Sequence, residues 1–472
     1  MTPSPARIGA GPAAVDSAAN TPSSATRRGV LAGGVTAGLA GAASPLLWVP
    51  PAASAARPVG VHLMYGDDPR TSMTVSWSTP KSVRRPRLEI GPDRGLGLDV
   101  PLRSRSSRGV ASVYHHGRVA GLKPGTRYRY RITHDGGPAQ SGTFTTAPRT
   151  PKPFRFAAFG DMGVNAAASR NARLIQKMDP DLSFIVGDLC YADSAGGTGL
   201  GGGATQDFAE WDRWLAMIQG TAARSPWMTT VGNHEMEEGN GELGYDGYLA
   251  RFATPRTGAK GAPTTYSFVY GNVGFIALDG NDASYEIDRN RNYLGATQDR
   301  WLERTLKQMR ATPDLDFIVV GFHNCMYCTN LVHGSDGGNR DRWERLFDRY
   351  TVDLVVNGHN HCYERTHLMR DGAPVKEAPR GAVVDSRRGT TYLTAGGAGQ
   401  AVYPTGGLPA SYVTVEGGLR VPELTTYSAV VDHTHSIAFL DVTPRRNGVA
   451  TMKLVALDGS GAVIDRVTLR RG

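Results

Sequence analysis

Five short runs of the chain hold residue types that bind metals or move protons, and each follows an apolar stretch. They are Gly160-Asp161-Met162-Gly163, Gly187-Asp188-Leu189-Cys190-Tyr191, Gly232-Asn233-His234-Glu235, Gly321-Phe322-His323 and Gly358-His359-Asn360-His361. A single Gly-Asp pair carries no information, and one His-x-His carries a little. Five such runs in this order form a specific pattern. Carboxylate, carboxamide, phenol and imidazole together make a donor set for hard and borderline cations. Two cations about 3.5–4 Å apart can hold both the attacking and the leaving oxygen of an in-line displacement. Such a pair needs a bridging carboxylate, terminal imidazoles and hard oxygen donors.

The elements that must position these runs are legible around them. Apolar stretches at 154–159, 182–186, 228–231, 274–278, 317–320 and 354–356 read as strands, and 166–177, 297–309 and 340–350 read as helices. Strands alternating with helices predict a layered α/β domain, whose ligands sit beyond the carboxyl ends of the strands. The five runs fall there. Residues 437–469 read as strands closing the second sheet, with a turn at Asp458-Gly459. A Gly-rich stretch at 196–203 lacks the Gly-Lys-Ser/Thr of a phosphate-cradling loop and reads as flexible cover near the site. Upstream, 56–147 reads as a small β-sandwich, with alternating runs at 59–65 and 73–79 and a turn at Gly66-Asp67-Asp68-Pro69. Trp77 and the turn Leu122-x-Pro124-x-Thr126-x-Tyr128 resemble fibronectin type III modules, in which a tyrosine corner pins one end of the sandwich. A Pro-rich joint at 148–153 separates this part from the catalytic domain expected over 154–472.

The five runs together resemble the calcineurin-like metallophosphoesterases. Tyr191, three residues after Asp188, narrows the resemblance to the purple acid phosphatases. It covers essentially the whole mature chain, since the N-terminal sandwich also looks like that of the long members. The resemblance implies a fibronectin type III-like β-sandwich followed by two mixed sheets flanked by helices. It implies that Asp161, Asp188, Tyr191 and His361 surround one metal, and that Asp188 bridges to a second metal completed by Asn233, His323 and His359. His234 lies outside that ligand set and is expected to aid departure of the leaving oxygen. His333 matches a family histidine that contacts phosphate. Plant members carry two adjacent histidines there, and Val332 replaces one of them here. Asp161, Asp188 and a Tyr191 phenolate supply three negative charges and a bridging hydroxide a fourth, so one trivalent and one divalent ion leave the core positive. Fe(III) on the tyrosine side with Zn, Mn or Fe(II) on the other is therefore expected.

The implied activity is hydrolysis of small phosphate monoesters by in-line attack of a metal-bound hydroxide. A phosphodiesterase or nucleotide hydrolase on the same core is the nearest alternative, distinguished by how the loops at 196–203 and 330–340 shape the pocket. A non-catalytic cell-surface binding protein is a remote alternative, against which all seven filled ligand positions argue.

The remaining features bound the setting. At 472 residues the chain exceeds what one core usually serves. The net charge of +9 includes a cluster of Arg84, Arg85, Arg87, Arg103, Arg105 and Arg108. No aromatic residues interleave with it, so it reads as a solvated face and not as a specific nucleic-acid site. Thr26-Arg27-Arg28-Gly29-Val30-Leu31, a Gly-rich apolar stretch and Ala53-Ser54-Ala55 read as a twin-arginine signal peptide over 1–55, and hence secretion or cell-wall association. Pro45, Pro50 and Pro51 argue against a membrane anchor, and no later run is long enough to span a bilayer. Of four cysteines, Cys325 and Cys328 form a lone CxxC, which reads as a local disulfide or two free thiols in preference to a zinc site. Cys190 and Cys362 adjoin expected ligands but are not expected to coordinate. Glu235 reads as a partner of an imidazole or of a salt bridge, and Tyr363-Glu364-Arg365 as a packed ion pair.

Overall fold

The computed structural model describes residues 56–92, 95–107, 109–193, 207–237, 241–403 and 410–472. The signal-peptide expectation and the Gly-rich stretch at 196–203 therefore lie outside the described residues. No helix among the described residues is long and apolar enough to cross a membrane.

Two antiparallel four-stranded sheets form the N-terminal sandwich. One orders Val59–Tyr65, Met73–Pro80, Ser112–Val119 and Leu102–Ser106, and the other Leu98–Val100, Arg87–Pro92, Arg127–Thr133 and Gln140–Thr145. In Arg127–Thr133 the sequence RYRYRIT alternates, so Tyr128, Tyr130 and Ile132 turn inward while the arginines face water. The Tyr128 hydroxyl accepts from the Lys123 N–H at 2.8 Å, closing the expected tyrosine corner. Trp77 is buried against the His115 ring, with centroids 5.3 Å apart.

Beyond residue 153 two mixed sheets face each other. The first orders Trp227–Thr229, Leu182–Ile185, Phe154–Phe159, Ser436–Arg446, Val449–Asp458, Val463–Arg471 and Val383–Asp385. Its first three strands are parallel. The second is built around parallel Val273–Ala277, Phe317–Gly321, Leu354–Asn357 and Thr390–Ala395. Tyr266–Tyr270, Tyr363–Arg370, Ala373–Lys376 and Ser428–Asp432 flank these four. Phe275 from the second sheet meets Phe156 and Phe184 from the first edge-on, at 5.1 and 5.6 Å. Thr297–Arg310 and Gly337–Arg349 cover the outer face of the second sheet through Trp301, Leu302, Trp343 and Phe347.

Three features depart from the sequence reading. The strands in 437–469 do not close the second sheet. Ser436–Arg446 pairs with Phe154–Phe159 (Ala438 opposite Ala158), so they extend the first sheet. The last helix begins at Gly337 and not at 340, because Asp336 caps it by accepting from the Asn339 N–H at 3.1 Å. A further helix, Ala209–Ala222, buries Trp211, Trp214, Leu215 and Ile218 on one face.

The sandwich and the catalytic sheets share one hydrophobic core, continuous from Val61 to Leu469. Polar contacts tie the seam. The Tyr114 hydroxyl donates to Asp212 at 2.6 Å, and that of Tyr130 to the Ala223 carbonyl at 2.7 Å. The fully buried Arg251 guanidinium lies 4.5 Å from the Tyr114 ring centroid and 5.1 Å from that of Trp211. His116 joins the seam as a neutral ring. Its Nε2–H donates to the Ala250 carbonyl at 3.0 Å, and its Nδ1 accepts from the Ser76 hydroxyl at 2.9 Å. Burial, helped by the nearby His62, lowers its pKa to about 3. The unfolded chain, with an ordinary value of about 6.5, therefore takes up this proton first. The stability His116 contributes is full above pH 6.5 and is lost as pH falls toward 3. Thermal midpoints measured from pH 7 to pH 4 should fall more steeply for the wild type than for His116→Gln. Equal slopes would refute this account of the seam.

Candidate active site

Three of the five runs pass through left-handed backbone just after their strands end. Asp161, Asp188, Tyr191 and His359 all have positive φ, between 50° and 65°. This region is rarely adopted by non-glycine residues, and such strain clusters at functional sites. The turns are held by their neighbours. The Asp161 N–H donates to the Gly187 carbonyl at 3.2 Å, the Met162 N–H to the Asp188 carbonyl at 3.1 Å, and the Gly358 N–H to the His323 carbonyl at 2.9 Å. Glu235 is the clamp. Its buried carboxylate accepts from the N–H groups of Asp188, Leu189 and Gly232 at 2.8, 2.8 and 2.7 Å, fixing the second run against the third. Among the described residues it bonds to no imidazole and forms no salt bridge, unlike the sequence reading.

The side chains then converge. His323 Nε2 lies 3.0 Å from Asp188 Oδ2 and 3.9 Å from Asp161 Oδ1, while its Nδ1–H donates to the Val186 carbonyl at 2.8 Å. The Tyr191 hydroxyl lies 3.2 Å from Asp161 Oδ1 and 2.9 Å from His361 Nε2, and His361 Nε2 is 3.4 Å from the same Asp161 oxygen. The His361 Nδ1–H donates to the Ala401 carbonyl at 2.9 Å. Both imidazoles are thus anchored by one nitrogen and present the other to the carboxylates, the arrangement metal-ligating histidines adopt. Asn233 opens the short helical turn Asn233–Glu235 and is buried. Asp188, His323 and His359 offer ligand atoms within 4.8 Å of one another.

Electrostatics show what the site lacks. Asp161 and Asp188 are 0% and 1% exposed, and among the described residues only histidines pair with them. Burial alone would raise the pKa of Asp188, but the adjacent His323 and His234 rings outweigh it and hold the carboxyl below its usual range. Burial would lower both histidines, yet the carboxylates push His323 up to about 10 and His234 up to about 9. Burial, with Asp161 and Asp188, drives the Tyr191 phenol well above its ordinary value. Acids this deep require compensating positive charge. The buried His323 Nε2 lies within 4 Å of both carboxylates yet makes no well-aligned hydrogen bond to either. Two buried carboxylates surrounded by a phenol, a carboxamide and imidazoles form a donor set that fits a pair of cations.

His234 stands beside this cluster. Its backbone N–H donates to Asp188 Oδ1 at 2.9 Å and its Nδ1–H to Asp193 at 2.7 Å, while Nε2 lies 3.8 Å from Asp188 Oδ2. Its ring centroid is 4.3 Å from that of Tyr191. His333 packs with its ring centroid 4.0 Å from that of His359. One carboxylate joins these two: Glu286 accepts from His333 Nδ1 at 2.5 Å and from His359 Nε2 at 2.9 Å. Tyr403 stacks on His361 at 4.1 Å and forms a wall. Sequence reasoning missed Glu286 and Tyr403, because neither adjoins a motif. Arg365 is indeed in a packed ion pair, but its partner is Asp465 and not Glu364, and the Tyr363 hydroxyl donates to the same carboxylate.

Family comparisons agree with this geometry. Residues 58–147 match the model of the purple acid phosphatase N-terminal domain, and 154–363 match that of the calcineurin-like phosphoesterases. A probable purple acid phosphatase of Arabidopsis thaliana is 30% identical over 327 residues, covering 65% of this chain and 69% of the relative. The chain belongs to the purple acid phosphatase family. An uncharacterised Mycobacterium tuberculosis protein is more similar, at 36% over 407 residues, covering 79% of this chain and 75% of that one. The purple acid phosphatase from yellow lupin seeds shares the fold with a TM-score of 0.71 at 21% identity, over 88% of this chain and 75% of that one. As a member of the family, the protein is a phosphatase enzyme that hydrolyses phosphoesters with the help of metal.

Gly232 tests how tightly the purple acid phosphatase site is built. A Cβ there would lie 2.1 Å from Asp188 Oδ1 and 2.7 Å from the Asp188 nitrogen. Gly232→Ala must displace that carboxylate, and misplacement by about 1 Å costs on the order of 100-fold in rate. A loss of kcat/KM of that order is expected in steady-state assays, with reduced metal content. Unchanged activity would show that the site yields more readily than its burial implies.

Proposed function

We propose that this enzyme hydrolyses small phosphate monoesters at a two-metal centre held by Asp161, Asp188, Tyr191, Asn233, His323, His359 and His361. The supporting observation is the placement of two imidazoles outside the ligand set, His234 and His333, each tied through Nδ1 to a carboxylate. That leaves both Nε2 positions for an external acceptor. A terminal phosphoryl group, with two negative charges and several free oxygens, suits two such donors better than a diester does.

When bound, the cations would draw charge from the phosphoryl group and make water acidic enough to act near neutral pH. The chain supplies the rest. Asp193 accepts from His234 Nδ1, stabilises the imidazolium and aims Nε2–H, which we assign the role of proton donor to the leaving oxygen. Glu286 fixes His333, which binds the phosphoryl oxygens, and orients His359 through its Nε2. Tyr403 and Tyr191 shield the flank. Burial among acids keeps Tyr191 protonated unless a strongly polarising cation sits against it, which supports Fe(III) on the tyrosine side with Zn, Mn or Fe(II) opposite. The leader expected over residues 1–55 would place the enzyme outside the cytoplasmic membrane by the twin-arginine route.

Purified mature protein should cleave a chromogenic phosphate monoester far faster than the matching diester, and Asp188→Asn should abolish the activity. Preference for the diester would move the function to phosphodiesterase, and no cleavage with metals bound would reopen the binding-protein reading. The iron assignment has its own check. The metal-loaded protein should show visible charge-transfer absorption that disappears in Tyr191→Phe. A colourless, iron-free and fully active enzyme would overturn it.

A further inference from the structure

Three of the four cysteines gather in one buried cluster that the phosphatase chemistry does not use. Cys325 and Cys328 leave the segment just after His323, and Cys362 follows His361. The fold brings all three into contact, 0–1% exposed. Sequence alone showed a CxxC with no second pair; the missing third thiol comes from the other ligand-bearing loop. Glu364, one strand step further on, adds a carboxylate.

The spacing is that of a coordination shell. The sulfurs of Cys328 and Cys362 lie 4.0 Å apart, and Cys328 Sγ is 3.2 Å from Glu364 Oε2. Tetrahedral zinc with thiolates at about 2.3 Å and an oxygen at about 2.0–2.2 Å places two sulfurs about 3.8 Å apart and a sulfur and oxygen about 3.5 Å apart. A disulfide needs about 2.05 Å, roughly half the observed separation. All four cysteines are free. The carboxylate is also in an unusual state. Glu364 is 1% exposed, and among the described residues no Arg, Lys or His pairs with it. Its Oε2 accepts from the Thr329 N–H at 2.8 Å and the Thr329 hydroxyl at 3.0 Å, while Oε1 is buried with no hydrogen bond at all. A buried carboxylate beside thiols, oriented by a backbone N–H and lacking a counter-charge, calls for a cation.

We propose that Cys328, Cys362 and Glu364, with Cys325 as fourth donor, form a structural zinc site separate from the catalytic pair. The Cys325 thiol now donates to the Gly358 carbonyl at 2.7 Å and would turn to the metal. Each coordinating thiol releases its proton to solvent, and no electrons move. The site would rivet the segment after His323 to the segment after His361, bracing both ligand loops from below. It does not depend on which ester the enzyme cleaves.

Two measurements test it. Zinc K-edge absorption on wild-type protein should show a Zn–S shell at about 2.3 Å, which the sulfur-free catalytic ligand set cannot supply. After cobalt loading, thiolate-to-cobalt charge-transfer bands should appear in the wild type and in Asp188→Asn, and fall to background in Cys328→Ser. Absence of both the Zn–S shell and the thiolate bands in the wild type overturns the proposal, as does a denatured mass two hydrogens light, the signature of a disulfide. The wild-type readings stand even if the variant fails to fold.

Discussion

Two carboxylates buried without a lysine or arginine set the terms for the whole catalytic half. Asp161 and Asp188 lie at the ends of adjacent parallel strands, beneath the surface, with only imidazoles and a phenol for side-chain partners among the described residues. Left bare, such charges cost several kcal/mol each or force protonation of their neighbours. The pull on His323 and His234 is that neighbourly response. A site so arranged is stable as a receptor for cations and poorly suited to anything else. Its selectivity for metal comes before its selectivity for substrate.

Holding the carboxylates there requires backbone that ordinary strands do not provide. Left-handed residues end the strands so that side chains point across the sheet edge. Glycines at 187 and 232 let two loops touch where any side chain would intrude. Glu235 satisfies three amides that the turn would otherwise strand in a dry interior. The scaffold thus spends conformational strain at the site and recovers it through hydrogen bonds around the rim.

Much of this was legible in the sequence because strand-end motifs are local. The apolar runs marked the strands to within one or two residues, and the polar residues after them marked the sheet edge. The residues that stayed hidden were those brought in by tertiary contact. Glu286 lies between two short turns and has no periodic or motif signal, yet it holds two histidines. Nothing in the sequence around Asp193 marks it as the partner of His234. Gly337 and Gly338 disguised a helix start that Asp336 nevertheless caps. The helix at Ala209–Ala222 could have been seen from the spacing of Trp211, Trp214, Leu215 and Ile218. The destination of the C-terminal strands could not, since alternating strands carry no label for the sheet they join.

That last pairing bears on how the enzyme comes into being. The strand that delivers Asp161 lies in the interior of its sheet, and one of its two neighbours is Ser436–Arg446, far downstream. While the ribosome is still translating the middle of the chain, Phe154–Phe159 has one open edge, and contacts of such long sequence separation form late. The ligand loops can emerge early, but the cradle beneath them closes only when the distal hairpins arrive. The sheet that carries Asp161 is therefore complete only once the strand at 436–446 has been made and paired.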